Sequence, residues 1–202
     1  MRDQYTTIVA PARGEIKVLG SRFIASVHPV AGRKEVDMTL VALRREFFDA
    51  THHCYAYRLG SDGSDFRAHD GGEPSGSAGK PILAAIDRGG FTDVLLVVTR
   101  YFGGTKLGVG GLARAYGEAA AGVLASATSR ICYATITLRA SFPHAMVSPV
   151  MHVIGKVGAK VQGKDYDGEV HLDLVVRASR VDELEAALLE GTRGSVRISK
   201  VS

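Results

Sequence analysis

Apolar and polar positions follow two rhythms along this chain, and each predicts its own elements. Thr6–Ala10 and Arg22–Val27 have the short apolar character of strands. From Arg33 to Asp49, Val36, Leu40, Leu43 and Phe47 recur at helical spacing. Lys34, Asp37, Arg44 and Glu46 lie between them, which predicts an amphipathic helix with one core-facing stripe. Thr51–Leu59 predicts a strand. Ser61–Lys80 has no period at all and carries Gly63, Gly71, Gly72, Gly76 and Gly79, so a long functional or disordered loop is expected there. Pro81 can open a short helix to Arg88, and Gly89-Gly90 can end it. Val94–Val98 is an unbroken apolar run, expected to be a strand buried on both faces. Leu112, Ala115, Tyr116, Ala119 and Val123 then return to helical spacing.

The pattern restarts near Ser129. Ile131–Arg139 predicts a strand, and Met146, Val150 and Ile154 a helix that Pro149 should kink or shorten. Ala159–Tyr166 and Glu169–Arg177 predict a hairpin turning at Asp167-Gly168. Ser179-Arg180-Val181-Asp182 has the look of a capping box before a helix carrying Val181, Leu184 and Leu188. Ser195–Val201 predicts a last strand. This βαββαβ order fits a ferredoxin-like domain, so the fold class is α+β in two domains, 1–128 and 129–202.

Composition narrows the picture only slightly. The 202 residues are 46% hydrophobic and 23% charged, ordinary values for a globular protein. Cys54 and Cys132 are the only cysteines, which implies no disulfide framework. With no apolar signal sequence at the N-terminus and no membrane-length apolar run, a cytoplasmic protein without membrane contact is expected. The net charge of +4 divides evenly, +2 in each domain, and no block is strongly basic. A clustered basic face of the kind nucleic-acid binders use is therefore permitted but not displayed.

Candidate chemistry lies in Asp93–Ala121. Between its strand and helix stand Gly103, Gly104, Gly108, Gly110 and Gly111, with Arg100, Lys106 and Arg114 among them. A glycine-rich turn into a helix N-terminus aims free N–H groups at one spot, which suits an anion. The same glycines could serve close packing alone. Three familiar motifs fail. Gly108-Val109-Gly110-Gly111-Leu112-Ala113 fits the loose dinucleotide fingerprint, but the strand ends too early and no acidic residue follows near position 130. Gly76–Pro81 lacks P-loop spacing and places Pro81 where a Ser or Thr is needed. Ser77-Ala78-Gly79-Lys80 is a literal S-x-x-K without its partner motifs. His52-His53-Cys54 suggests metal ligands, yet only His52 and Cys54 can share a strand face, and a structural pair is the better reading. His69, Asp70, Glu73 and Ser75 could supply an acid–base set.

Three segments together resemble the IMPACT/YigZ family: His52–Ala56, Asp70–Pro81, and Val97–Gly108 with Gly110–Tyr116. The string Arg100-Tyr101-Phe102-Gly103-Gly104 followed by Leu107-Gly108 is that family's signature. The resemblance covers the first domain; the second matches only in element order. It implies a first domain like a small-subunit ribosomal-protein domain and elongation factor G domain IV, and a second like that factor's domain V. It also implies an RNA- or ribosome-associated role in translation regulation, with a possible protein partner, since eukaryotic members bind a ribosome-associated activator of the amino-acid-starvation kinase. Gly71 replaces the second aspartate of the family's usual Asp-Asp-Gly-Glu-Pro, which weakens any paired-carboxylate metal site. Ser77 stands for the usual Thr. The expected anion- or RNA-binding set is Arg100, Gly103, Gly104, Lys106, Gly108, Gly110, Gly111, Arg114 and Lys80. His52, Asp70, Glu73, Ser75 and Ser77 are expected to line the facing loop. No catalytic residue, metal or cofactor is expected. An enzyme acting on a small phosphorylated or carboxylated substrate in the same cleft is the alternative.

Overall fold

A computed structural model describes residues 3–201. The chain divides into one unit of Tyr5–Cys132 and a second that runs from Tyr133 onward and takes in Asp3 and Gln4. Ser129–Cys132 thus groups with the first unit.

Strand β1 (Gln4–Ile8) begins the chain, two residues earlier than its pattern suggests. Strands β2 (Ala12–Val18) and β3 (Ser21–Pro29) form a hairpin in which Val18 pairs with Ser21. That leaves two turn residues, Leu19 and Gly20, both at positive φ (45° and 82°), as a tight primed turn requires. Helix α1 (Arg33–Glu46), strand β4 (His52–Leu59) and strand β5 (Asp65–His69) follow. Then come helix α2 (Gly79–Gly89), strand β6 (Val94–Tyr101) and helix α3 (Gly108–Ser126). Strand β7 (Ser129–Tyr133) pairs with β1 in a two-stranded sheet.

The main sheet of this unit is antiparallel, in the order β2-β3-β6-β4-β5. Strand β6 lies at its centre, and the alternation of its side chains explains its unbroken apolar run. Val94, Leu96 and Val98 enter the core shared with α2 and α3, while Leu95 and Val97 enter the one shared with α1. All five are at most 1% exposed, and a fully buried aliphatic side chain contributes about 1.5–3 kcal/mol. The same alternation carries Arg100 onto the α2/α3 face, with Val98.

In the second unit, strand β8 (Thr135–Phe142), helix α4 (Val147–Val157), strand β9 (Lys160–Tyr166), strand β10 (Val170–Arg177), helix α5 (Val181–Gly191) and strand β11 (Arg197–Lys200) follow in turn. The antiparallel sheet order β11-β8-β10-β9 is the ferredoxin-like arrangement, and one apolar core lies between sheet and helices.

Several elements differ from their patterns. The run read as one strand over Ile131–Arg139 is two, β7 and β8, broken at Ala134. Pro149 does not kink α4: it is the third helical residue, in the first turn, where its missing N–H has no intrahelical acceptor to serve. Ser179 caps nothing, because its hydroxyl donates to Asp3 Oδ2 and α5 starts without a side-chain cap. The 61–80 stretch holds strand β5, and Ala12–Val18 is a strand its pattern did not announce.

Candidate functional site

The end of β6 and the loop after β5 meet on the α2/α3 face. Glu73 extends from the loop and Arg100 from the strand, and they pair at 2.6 Å with side chains only 4% and 5% exposed. Glu73 Oε1 also accepts the Tyr116 hydroxyl from α3 at 2.8 Å, and His52 Nε2 lies 3.9 Å away. The Arg100 guanidinium lies between the Phe23 and Phe102 rings, 5.4 and 5.5 Å from their centroids. Its Nη2 donates to Ser21 Oγ, which also accepts the Gly103 N–H. Arg100 Nε is buried and has no hydrogen-bond partner among the described residues.

Asp70 organises the facing loop. Its carboxylate accepts the N–H groups of Gly76, Ala78 and Gly79 at 2.9, 3.0 and 2.8 Å, tying the loop to the start of α2. Burial pushes this carboxyl up, but the three N–H donors outweigh it and hold the group below its ordinary value. Cys54 donates to the Asp70 carbonyl at 2.9 Å and lies 3.3 Å from the Tyr116 hydroxyl. Burial pushes the Cys54 thiol up to about 12, and burial first, then the neighbouring thiol, raises the Tyr116 phenol too. Neither group is ionised near neutrality, so neither is an activated nucleophile.

A cavity of about 250 Å³ opens beside the ion pair. Glu73, Pro74 and Arg100 stand along it with Phe102, Lys106 and Leu107, and from the first turns of α3 Gly108, Val109 and Leu112 line it while the expected Gly110 and Gly111 do not. Phe102 and Val109 are 48% and 58% exposed, and Lys106 is exposed. The N-terminus of α3 has no side-chain cap.

The glycines divide by their surroundings. A Cβ on Gly103 would lie 1.9 Å from the Gly20 carbonyl carbon, so the β2–β3 turn alone requires glycine there. A Cβ on Gly108 or Gly110 would meet open space. Gly104, at φ +88°, is equally open, and Gly111 faces Leu107. Of the other expected residues, Arg114 lies instead in a depression with Arg88 and Glu118. Ser75 on the loop and Lys80 in the first turn of α2 are exposed but do not line the cavity. Ser77 is buried and donates to the Pro74 carbonyl at 2.6 Å. Among the described residues, no three His, Cys, Asp or Glu side chains are grouped to hold a metal. Sequence reasoning passed over Tyr116 and Phe102. A lone tyrosine in an alanine-rich helical stripe was the available signal for the first, since its hydroxyl must find a partner when buried.

The Impact N-terminal domain family matches residues 19–124, and a domain of unknown function, DUF1949, matches residues 141–195. IMPACT family member YigZ of Escherichia coli is 31% identical over 94% of both chains. A Thermus thermophilus IMPACT family member is 37% identical over 88% of this chain and 84% of its own. IMPACT family member YvyE of Bacillus subtilis is 41% identical over 58% of this chain and 54% of its own length. A crystal structure titled only as that of a hypothetical protein aligns with the whole chain at 29% identity and a TM-score of 0.76, covering 99% of that structure. The signature carrying Arg100 and the turn to Gly108 lies inside the matched first segment, and with these relatives it establishes that the chain belongs to the IMPACT family.

Proposed function

We propose that the protein is a non-enzymatic RNA- or ribosome-associated regulator of translation that contacts single-stranded or looped RNA through the cleft at the start of α3. One observation carries this reading. The uncapped N-terminus of α3 opens beside an exposed aromatic ring, Phe102, and an exposed lysine, Lys106. Free N–H groups and an ammonium suit a phosphate, and an exposed ring suits an unstacked base. Gly108 and Gly110 leave the backbone open to such an approach. The groups an enzyme would recruit are otherwise engaged: Glu73 with Arg100 and Tyr116, Asp70 with three N–H donors. Family membership favours the same direction by analogy.

A second reading has one observation of its own. The nearness of His52 to Glu73, 3.9 Å apart, would suit acid–base work on a small carboxylated or phosphorylated substrate.

Sedimentation with ribosomes across a salt series tests the first reading. Binding at low salt should weaken as salt rises, because each phosphate contact releases counterions. Lys106→Ala should weaken it and flatten the salt slope by about one unit. Gly110→Val should weaken it more, by filling the open approach. Absence of association at low salt, or association unchanged in both folded variants, would overturn the reading.

A further inference from the structure

Helix α1 buries Val36, Leu40 and Leu43 against the sheet and turns a second, partly apolar face outward. Met38 and Val41 are 63% and 57% exposed, and with Asp37, Ala42 and Arg45 they line one shallow depression. The helix ends are tied down within the unit, Arg33 to Asp65 and Glu46 to Arg13. Between those ends Asp37 and Arg45, like Lys34, Glu35 and Arg44, have no ion-pair partner among the described residues.

The order of these residues is self-complementary. Asp37 lies four positions before Val41 and Arg45 four positions after it, so the two charges stand about 12 Å apart along the axis. When two copies of α1 pack antiparallel about a two-fold axis through Val41, residue 41 − k of one faces residue 41 + k of the other. Each Asp37 then meets the partner copy's Arg45, twice over, the two Val41 side chains meet on the axis, and each Met38 lies against the stem of the partner copy's Arg44. An isologous interface of this kind needs one patch whose charges mirror in sign about its centre.

We propose that the outward face of α1 is a homodimer contact, with a second copy of this chain as its occupant. It goes beyond the RNA-binding reading and does not depend on it. The apolar centre is small, so the dimer is weak and transient, with a dissociation constant of about 100 μM.

Sedimentation equilibrium of the full chain up to about 1 mM tests this, a range that reaches well above the expected constant. The wild type should show concentration-dependent dimerisation. Asp37→Arg and Arg45→Asp should each weaken it by about tenfold or more, because each sets like charges face to face. The double reversal should restore it. A Val41→Cys variant should form a disulfide dimer on mild oxidation, while the wild type, with Cys54 buried, should not do so through this face. A monomer at every concentration, single reversals without effect, or a double reversal that fails to rescue would each overturn the proposal.

Discussion

The two units bury different kinds of atoms. Thr7, Ser21, Ser26, Ser77, Thr92, Thr99 and Arg100 are buried in the first. In the second, among the described residues, only Thr192 is, and its hydroxyl simply returns to the Leu188 carbonyl one turn earlier. The second unit is an apolar core closed between sheet and helices. The first places a charged pair in its core, directly beside its cleft. A buried ion pair is a weak source of stability, since the desolvation cost of both ions offsets most of their attraction. What Arg100 and Glu73 supply is position: they pin the 70–80 loop to the base of the 101–108 turn, and the cleft walls stay in register.

That contrast can be broken most forcefully at Glu73. Glu73→Ala strands a buried guanidinium and should cost about 3–5 kcal/mol in the unfolding of the first unit, measured by denaturant titration. Adding Arg100→Met to the same chain should recover most of the loss, because it removes the stranded charge. A Glu73→Ala protein as stable as the wild type would mean that the pair is solvated in solution.

Gly103→Ala should cost about 1–3 kcal/mol, since its methyl group would meet the Gly20 backbone rather than a side chain that could move. Gly110→Ala, facing open space, should leave the melting midpoint unchanged or slightly higher. Equal effects at the two glycines would erase the division drawn between packing glycines and approach glycines.

Asp70→Ala should cost about 1 kcal/mol at neutral pH after allowance for solvent screening. The carboxyl is held below its ordinary value, so its contribution is complete above the unfolded value of about 3.9 and is lost as pH falls through the folded one. The difference between variant and wild type, followed by denaturant titration at several pH values, should therefore close in acid. A gap that stays constant would assign the loss to packing instead.

The smallest effect belongs to the second unit. Arg139 and Asp173 form a surface pair at 2.8 Å, and Asp173→Ala should leave that unit's thermal midpoint within experimental error. A clear drop would show that surface charge supports the second unit in a way its apolar core does not suggest.

Much of this was legible in the residue pattern. Val94–Val98 reads as a doubly buried strand because both faces of β6 are covered, and the βαββαβ order follows from periods and turns. Strand β5 escaped notice because it is an edge strand paired only with β4: Phe66 is 55% exposed, and no apolar alternation marks a buried side. The Glu73–Arg100 pair joins residues 27 apart and the Asp70 bonds cross a loop, and no local period records either. The glycines of the turn look alike in sequence, and only the neighbouring β2–β3 turn separates Gly103 from Gly110.

The central claim is that the first unit carries the RNA contact at the N-terminus of α3. Amide and side-chain NMR shifts of the full chain, followed during titration with a short single-stranded RNA at low salt, test it most directly. The account predicts shifts concentrated at Phe102, Lys106 and the Gly108–Gly111 amides, fading as salt rises, with β10 and α5 silent. Saturable shifts centred in the second unit, or no shifts at all, would contradict it.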